Sequence, residues 1–212
     1  MTIFYIDTTS SFLYTGVVKD DKLLCQLKEY LGHDLSIYTL SKVSKMFEDN
    51  HLTPNDIDKI IVVNGPGSFT GIRIGVSLAK IYAWSLKKEI ITISSLEAMS
   101  KSIKSDKLVV PIINARRDAC YAAIYDNDKI VMNDCYLTLE KLFLFLNGIN
   151  KEYEFISNDK FSFACTKYDP DILNIVLSYK DRVSINPHLV NPNYLKLTEA
   201  EENKMKEVEN GC

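Results

Sequence analysis

The order in which short apolar runs and amphipathic stretches follow one another constrains this chain most, because it is written twice. Residues 3–7, 14–18 and 23–30 alternate or cluster apolar residues as strands do, with "TTSSF" and "KDDK" as the turns between them. A helical spacing follows from Asp34 to about Asn50 (Leu35, Tyr38, Val43, Met46, Phe47). "TPND" then offers Thr53 as a cap before Pro54, and "KIIVV" at 59–63 reads as a buried strand. A glycine-rich turn, a second helix to about Leu86, the strand "EIITIS" and the short helix "SLEAMSKSI" complete a first half of order β-β-β-α-β-α-β. The second half begins the same way. "LVVPIINA", "CYAAIYD" and "KIVMNDCYL" form a meander, "TLEKLFLFLNG" a helix stopped at Asn147-Gly148, and "YEFIS" a strand. A last helix is placed after Asp169, with Pro170 in its first turn. Such a sequence predicts a duplicated α/β unit whose second copy is partly eroded. The division falls at residues 1–103 and 104–212, with the charged "EAEENKMKEVENGC" as a solvated helix or frayed tail.

Charge narrows the function. A net charge of -3 argues against a chain that grips nucleic acid alone, since phosphate binding requires clustered Lys and Arg. The five scattered cysteines contain no C-x-x-C pair and predict reduced, structural thiols in the cytoplasm. No signal-like N-terminus and no run of 18 apolar residues predicts a secreted or membrane-spanning chain.

The stretch "NGPGSFTGIRIG", residues 64–75, supports two readings. Strand, glycines and helix N-terminus form a plausible anion site, although the order is neither G-x-x-x-x-G-K-[ST] nor G-x-G-x-x-G. The alternative is a tight turn in which Gly65 and Gly67 take conformations closed to other residues and Ser68 or Thr70 caps the helix. On a helical wheel Arg73, Ser77, Lys80 and Trp84 form one narrow stripe. Opposite them Gly71, Gly75, Ala79 and Ala83 form a groove of small residues, flanked by Ile72, Val76 and Tyr82. This is more apolar surface than one sheet covers, so the helix lies either between two layers of its own chain or against a partner.

These residues carry a resemblance. "YIDTTSS", "GPGSFTGIRIGVSLAK", "ISSLEAMS", "INARRDACYAAIYD" and "NPNYLK" occur in the same order in the bacterial TsaB (YeaZ) family, over about residues 2–196. The resemblance implies an actin-like, Hsp70-like ATPase fold of two ribonuclease-H-like subdomains with mixed sheets. It also implies a role in making threonylcarbamoyladenosine beside the anticodon of tRNA, as partner of the catalytic paralogue TsaD and with a TsaE-like ATPase joining the complex. The joint would lie on the helices 35–50 and 70–86, with Leu35, Tyr38, Ser41, Gly71, Ile72, Gly75, Val76, Ala79, Tyr82 and Ala83 as its residues. The chain alone could form a homodimer through the same surface, and its contribution to tRNA binding would be indirect or confined to patches such as Arg116-Arg117, a pair that reads equally as a solvated turn.

Where TsaD-like proteins carry a segment like H-x-E-G-H, whose histidines hold a metal, this chain has Ser95-Leu96-Glu97-Ala98-Met99. A hydroxyl and a thioether are poor replacements for two imidazoles, and the histidines at 33, 51 and 188 form no ligating pair, so neither a metal site nor a peptidase is expected. The actin-like phosphate turn is also altered. Asp7 remains, followed by Thr8-Thr9-Ser10-Ser11 without glycine. Asn114 and Asp118 stand where relatives resemble D-A-R-R-G, which removes one carboxylate and a turn glycine. Asp7, Thr8, Thr9 and Asn114 are the candidates for a residual nucleotide site. The expectation is a non-catalytic subunit with no cofactor of its own, leaving ATP or ADP to the partner joint. A small ATP-binding kinase or ATPase of the same fold is the alternative.

Overall fold

A strand buried on both faces has no reason to alternate, and β1 (Thr2–Asp7) is buried at all six positions. The computed structural model describes residues 1–196 and places β1 at the centre of a five-stranded sheet. Its partners are β2 (Phe12–Lys19), β3 (Lys22–Tyr30), β4 (Lys59–Val63) and β5 (Glu89–Ile93), in the order β3-β2-β1-β4-β5. The first three strands form an antiparallel meander, while β4 and β5 join in parallel after helical crossovers. Helices α1 (Leu35–Asp49) and α2 (Phe69–Ser85) cover one face, packing Val43, Phe47, Ile72 and Val76 on Phe4, Ile6 and Val62. The short helix α3 (Ser95–Ser100) follows β5, with Ser94 and Glu97 forming a reciprocal capping box.

The second sheet repeats the first. Strands β6 (Leu108–Asn114), β7 (Ala119–Asp126) and β8 (Lys129–Thr138) form the meander, and β9 (Tyr153–Ile156) joins β6 in parallel after α4 (Leu139–Gly148). The order β8-β7-β6-β9 is that of β3-β2-β1-β4, so the chain has the expected actin-like pair of ribonuclease-H-like units, the second with four strands among the described residues.

The division at residue 103 separates the sheets but not the units. Helix α5 (Ile172–Tyr179) returns to the inner face of the first sheet, where Ile172 and Val176 share a core with Tyr5, Ile61 and Ile91. Beyond it Ile185 N–H donates to Ile90 and Asn193 N–H to Asn64, so residues 172–196 belong with the first unit. Helix α5 also begins later than Pro170. Asp171 is its cap, accepting from Asn174 N–H at 3.0 Å, while Asp169 instead meets Lys28 at 2.7 Å. The charged stretch 199–212 lies outside the described residues. Among the described residues four cysteines are unpaired, and no helix is long and apolar enough to cross a membrane.

Candidate functional site

Helix α2 begins where Ser68 Oγ accepts from Gly71 N–H, at 3.2 Å, so Ser68 rather than Thr70 is the cap. The preceding glycines adopt the unusual backbone that the tight-turn reading requires, with φ of +112° at Gly65 and +154° at Gly67. The glycines inside the helix serve a different need. A Cβ on Gly71 would lie 2.0 Å from the Thr8 carbonyl oxygen, and one on Gly75 would lie 2.4 Å from Thr8 Oγ1. Thr8 Oγ1 in turn donates to Gly71 O at 2.7 Å, and Ser68 N–H donates to Thr9 O at 2.7 Å. The β1–β2 turn of the same chain therefore fills the Gly71–Gly75 half of the groove, and Ala79 and Ala83 are buried in the core against the sheet.

This corrects the joint read from the sequence. Leu35, Gly71, Ile72, Gly75, Val76, Ala79 and Ala83 are buried in the chain's own core, whereas Tyr38 and Ser41 are exposed and Tyr82 is half-buried. The Arg73-Lys80-Trp84 stripe stays at the surface, with Trp84 64% exposed, and is tied to residues 188–194. Arg73 Nε donates to the Tyr194 hydroxyl at 2.9 Å, Lys80 Nζ to Val190 O at 2.8 Å, and Trp84 meets His188 edge-on. Between the buried strip and this stripe α2 presents Ile74, Ser77, Leu78 and Ile81, which fall within about 100° of the wheel. The neighbouring α1 presents Ile37, Leu40, Ser41 and Ser44 over a similar arc. Ile37, Leu40 and Ile81 are 65%, 56% and 58% exposed, so the uncovered face is apolar with serines between.

A second feature lies where β1 and β6 end. The two units enclose a cleft of about 740 Å³ lined by Asp7, Thr9 and Asn114 among the predicted nucleotide residues. Thr8 does not reach it, being bonded to α2. Asp7 is 3% exposed, and burial raises its carboxyl to about 6, against the lowering influence of Thr9 N–H and Oγ1–H, which donate to Oδ1 at 2.8 and 2.7 Å. Asn114 is half of a pair that the sequence did not disclose: its N–H donates to Asp159 Oδ2 at 2.7 Å, so a carboxylate missing from position 114 reaches the cleft from the end of β9. The duplication carries the signal, since β9 repeats β4 and its exit should line the same opening. Tyr168 also lines the cleft and was not anticipated.

Three amides at or beside the two hairpin turns are already bonded within the chain. Thr9 N–H donates to Asp7, Phe12 N–H to Ser10 Oγ, and Arg116 N–H to Asn114 Oδ1. Ser95 Oγ donates to Pro66 O at 2.6 Å, and Met99 is packed in the core between the sheets. The positions of the paralogue's imidazoles thus hold the glycine loop and the interior together.

Comparison with known proteins agrees with this geometry. The family model TsaD, tRNA N6-adenosine threonylcarbamoyltransferase, matches residues 34–202. The tRNA threonylcarbamoyladenosine biosynthesis protein TsaB of Bacillus subtilis is 31% identical over 95% of this chain and 96% of its own length. The YeaZ structure from Pseudomonas aeruginosa superposes with a TM-score of 0.74 at 16% identity, covering 92% of this chain and 99% of that one. A P. aeruginosa protein described as similar to the peptidase YeaZ gives 0.77 with the same identity and coverage.

Proposed function

Because the chain belongs to the TsaB family of tRNA threonylcarbamoyladenosine biosynthesis proteins, we propose that it is the non-catalytic partner of a TsaD-like threonylcarbamoyl transferase in the cytoplasm. The observation that carries this reading is the uncovered apolar face of α1 and α2. Isolated apolar residues are ordinary on a surface, but Ile37, Leu40, Ile74, Leu78 and Ile81 share two adjacent helices, and such a patch marks an interaction site. A paralogue of the same fold offers a matching helix pair. The serines between the apolar residues permit close helix approach, and the resulting four-helix contact would supply the apolar centre of a standard interface.

The chemistry falls to the other components. A separate enzyme makes threonylcarbamoyl-adenylate, the TsaD-like subunit transfers the group to adenosine, and a TsaE-like ATPase joins the assembly. ATP or ADP belongs at the joint with the partner, and tRNA is held through the transferase. Ser95 and Met99, in place of imidazoles, support this division of labour, and the glycine-free turn Thr8-Thr9-Ser10-Ser11 disfavours the kinase or ATPase alternative.

The test is reconstitution of tRNA modification with and without this chain, beside the double variant Leu40→Glu/Ile81→Glu. Loss of modification and of co-elution with the TsaD-like subunit, in a variant that unfolds at the wild-type temperature, is the expected outcome. Full modification without the chain would refute the role, and unaltered co-elution would refute the surface. In the partner's absence the same face joins two copies by a two-fold axis, and light scattering should report a dimer that the double variant converts to monomer.

A further inference from the structure

Arg73 carries a charge to which its surroundings offer no counterpart. Helix α2 and residues 185–196, the two segments that hold it, contain no Asp or Glu. Its guanidinium joins no ion pair among the described residues. The group is nevertheless fixed. It lies 3.8 Å over the Phe69 ring, which stacks on Tyr194 with centroids 5.2 Å apart, and its Nε donates to the Tyr194 hydroxyl at 2.9 Å. The two terminal nitrogens donate to nothing among the described residues, so the far side of the planar donor fork is aligned but unused. Ordering an exposed Arg costs conformational entropy, and here the free chain has already met that cost.

The fork stands beside the uncovered face of the helix pair. Arg73 precedes Ser77 by one turn, and both line, with Phe69, Thr70 and Ile74, a hollow of about 400 Å³ on the surface of α2. Ile74 and Ser77 belong to the face that α1 and α2 leave uncovered. Phe69 and Tyr194 are 53% and 41% exposed, so two aromatic rings and a cation continue that apolar face at its edge. Aromatic residues and Arg are the types enriched where proteins meet.

Resting on the reading that this face docks a TsaD-like subunit, we infer that the docked partner presents a carboxylate, an Asp or Glu set among apolar residues, which pairs with the Arg73 fork in the hollow. Docking excludes water from the pair, which strengthens it relative to an exposed ion pair. The contact also discriminates between partners, because a surface without the carboxylate would bury the guanidinium unpaired. A second copy of this chain returns an acid-free α2, and its α1 carries acids only at the C-terminal end, Glu48 and Asp49.

Calorimetric titration of the full chain with the TsaD-like subunit, in about 0.05 and 0.5 M NaCl, tests the contact. At low salt Arg73→Gln should weaken binding about tenfold or more, and Arg73→Lys about fivefold, since an ammonium lacks the fork. Tyr194→Phe keeps the charge but releases Nε, and should weaken binding about threefold. The wild type should lose affinity with salt more steeply than Arg73→Gln. Circular dichroism checks that each variant keeps the fold. A charge swap completes the test: Arg73→Glu should fail to bind until one Asp or Glu on the partner's matching helices is changed to Arg. Absence of any such rescue would overturn the inference. So would Arg73→Gln binding as tightly as wild type while Leu40→Glu/Ile81→Glu abolishes binding, a result that leaves the docking face standing; unaltered binding by both would remove face and contact together. Equal weakening of the free chain's self-association would assign the carboxylate to a second copy, and loss of tRNA retention alone would assign the guanidinium to RNA phosphate. Either overturns the inference.

Discussion

Replacing Asp7 by Asn should make the protein more stable. The carboxyl is 3% exposed and holds its proton up to about pH 6, against an ordinary value of 3.8. A difference of about two units at 1.36 kcal/mol each amounts to roughly 3 kcal/mol. Between about pH 4 and 6 the folded chain binds this proton and the unfolded chain does not, so the contribution of Asp7 to stability falls as pH rises through that window. Above it the ionised, buried carboxylate carries the full penalty. Asn removes the charge while its Oδ1 still accepts from Thr9 N–H and Oγ1–H, bonds that are 2.8 and 2.7 Å long in the wild type. Urea unfolding should therefore place Asp7→Asn roughly 2–3 kcal/mol above wild type near pH 7.5, with a melting temperature higher by about 5–10 °C. The gap should close toward pH 4.5. A variant no more stable than wild type at pH 7.5, or a gap unchanged at pH 4.5, would refute the reasoning.

Gly71→Ala should destabilise by about 3 kcal/mol or prevent folding, because its Cβ would meet the Thr8 carbonyl oxygen at 2.0 Å; Gly148→Ala, with nothing within 4 Å, should change thermal unfolding by less than about 0.5 kcal/mol. Equal effects of the two would contradict the packing of α2 on the β1–β2 turn. Arg182→Ala removes two contacts to Glu97, one to Thr92 O and the stacking of the guanidinium 4.5 Å from the Tyr179 ring. Solvent screens part of this network, so a loss of about 1–2 kcal/mol in urea is expected, with the salt-insensitive share reporting the stacking.

The succession of strands and helices along the chain was legible because each unit repeats the same periods and turn residues, and repetition reinforces weak local signals. Orientation of α2 was not. A wheel separates the Gly71-Gly75-Ala79-Ala83 strip from the Arg73-Lys80-Trp84 stripe but cannot say what each faces. Thr8 decides the first, and backbone atoms of residues 188–190 together with the Tyr194 hydroxyl decide the second. Neither partner has any periodicity to betray it. Asp159 was overlooked for a related reason: a carboxylate after a weak strand gains meaning only once β9 is recognised as the counterpart of β4.

The return of α5 to the first sheet bears on biosynthesis. As the ribosome releases the chain, residues 1–103 emerge early, yet Tyr5, Ile61 and Ile91 wait for Ile172 and Val176 to cover them. The first unit therefore completes last, after the second has been made, and a nascent chain halted midway would present a bare apolar sheet to chaperones.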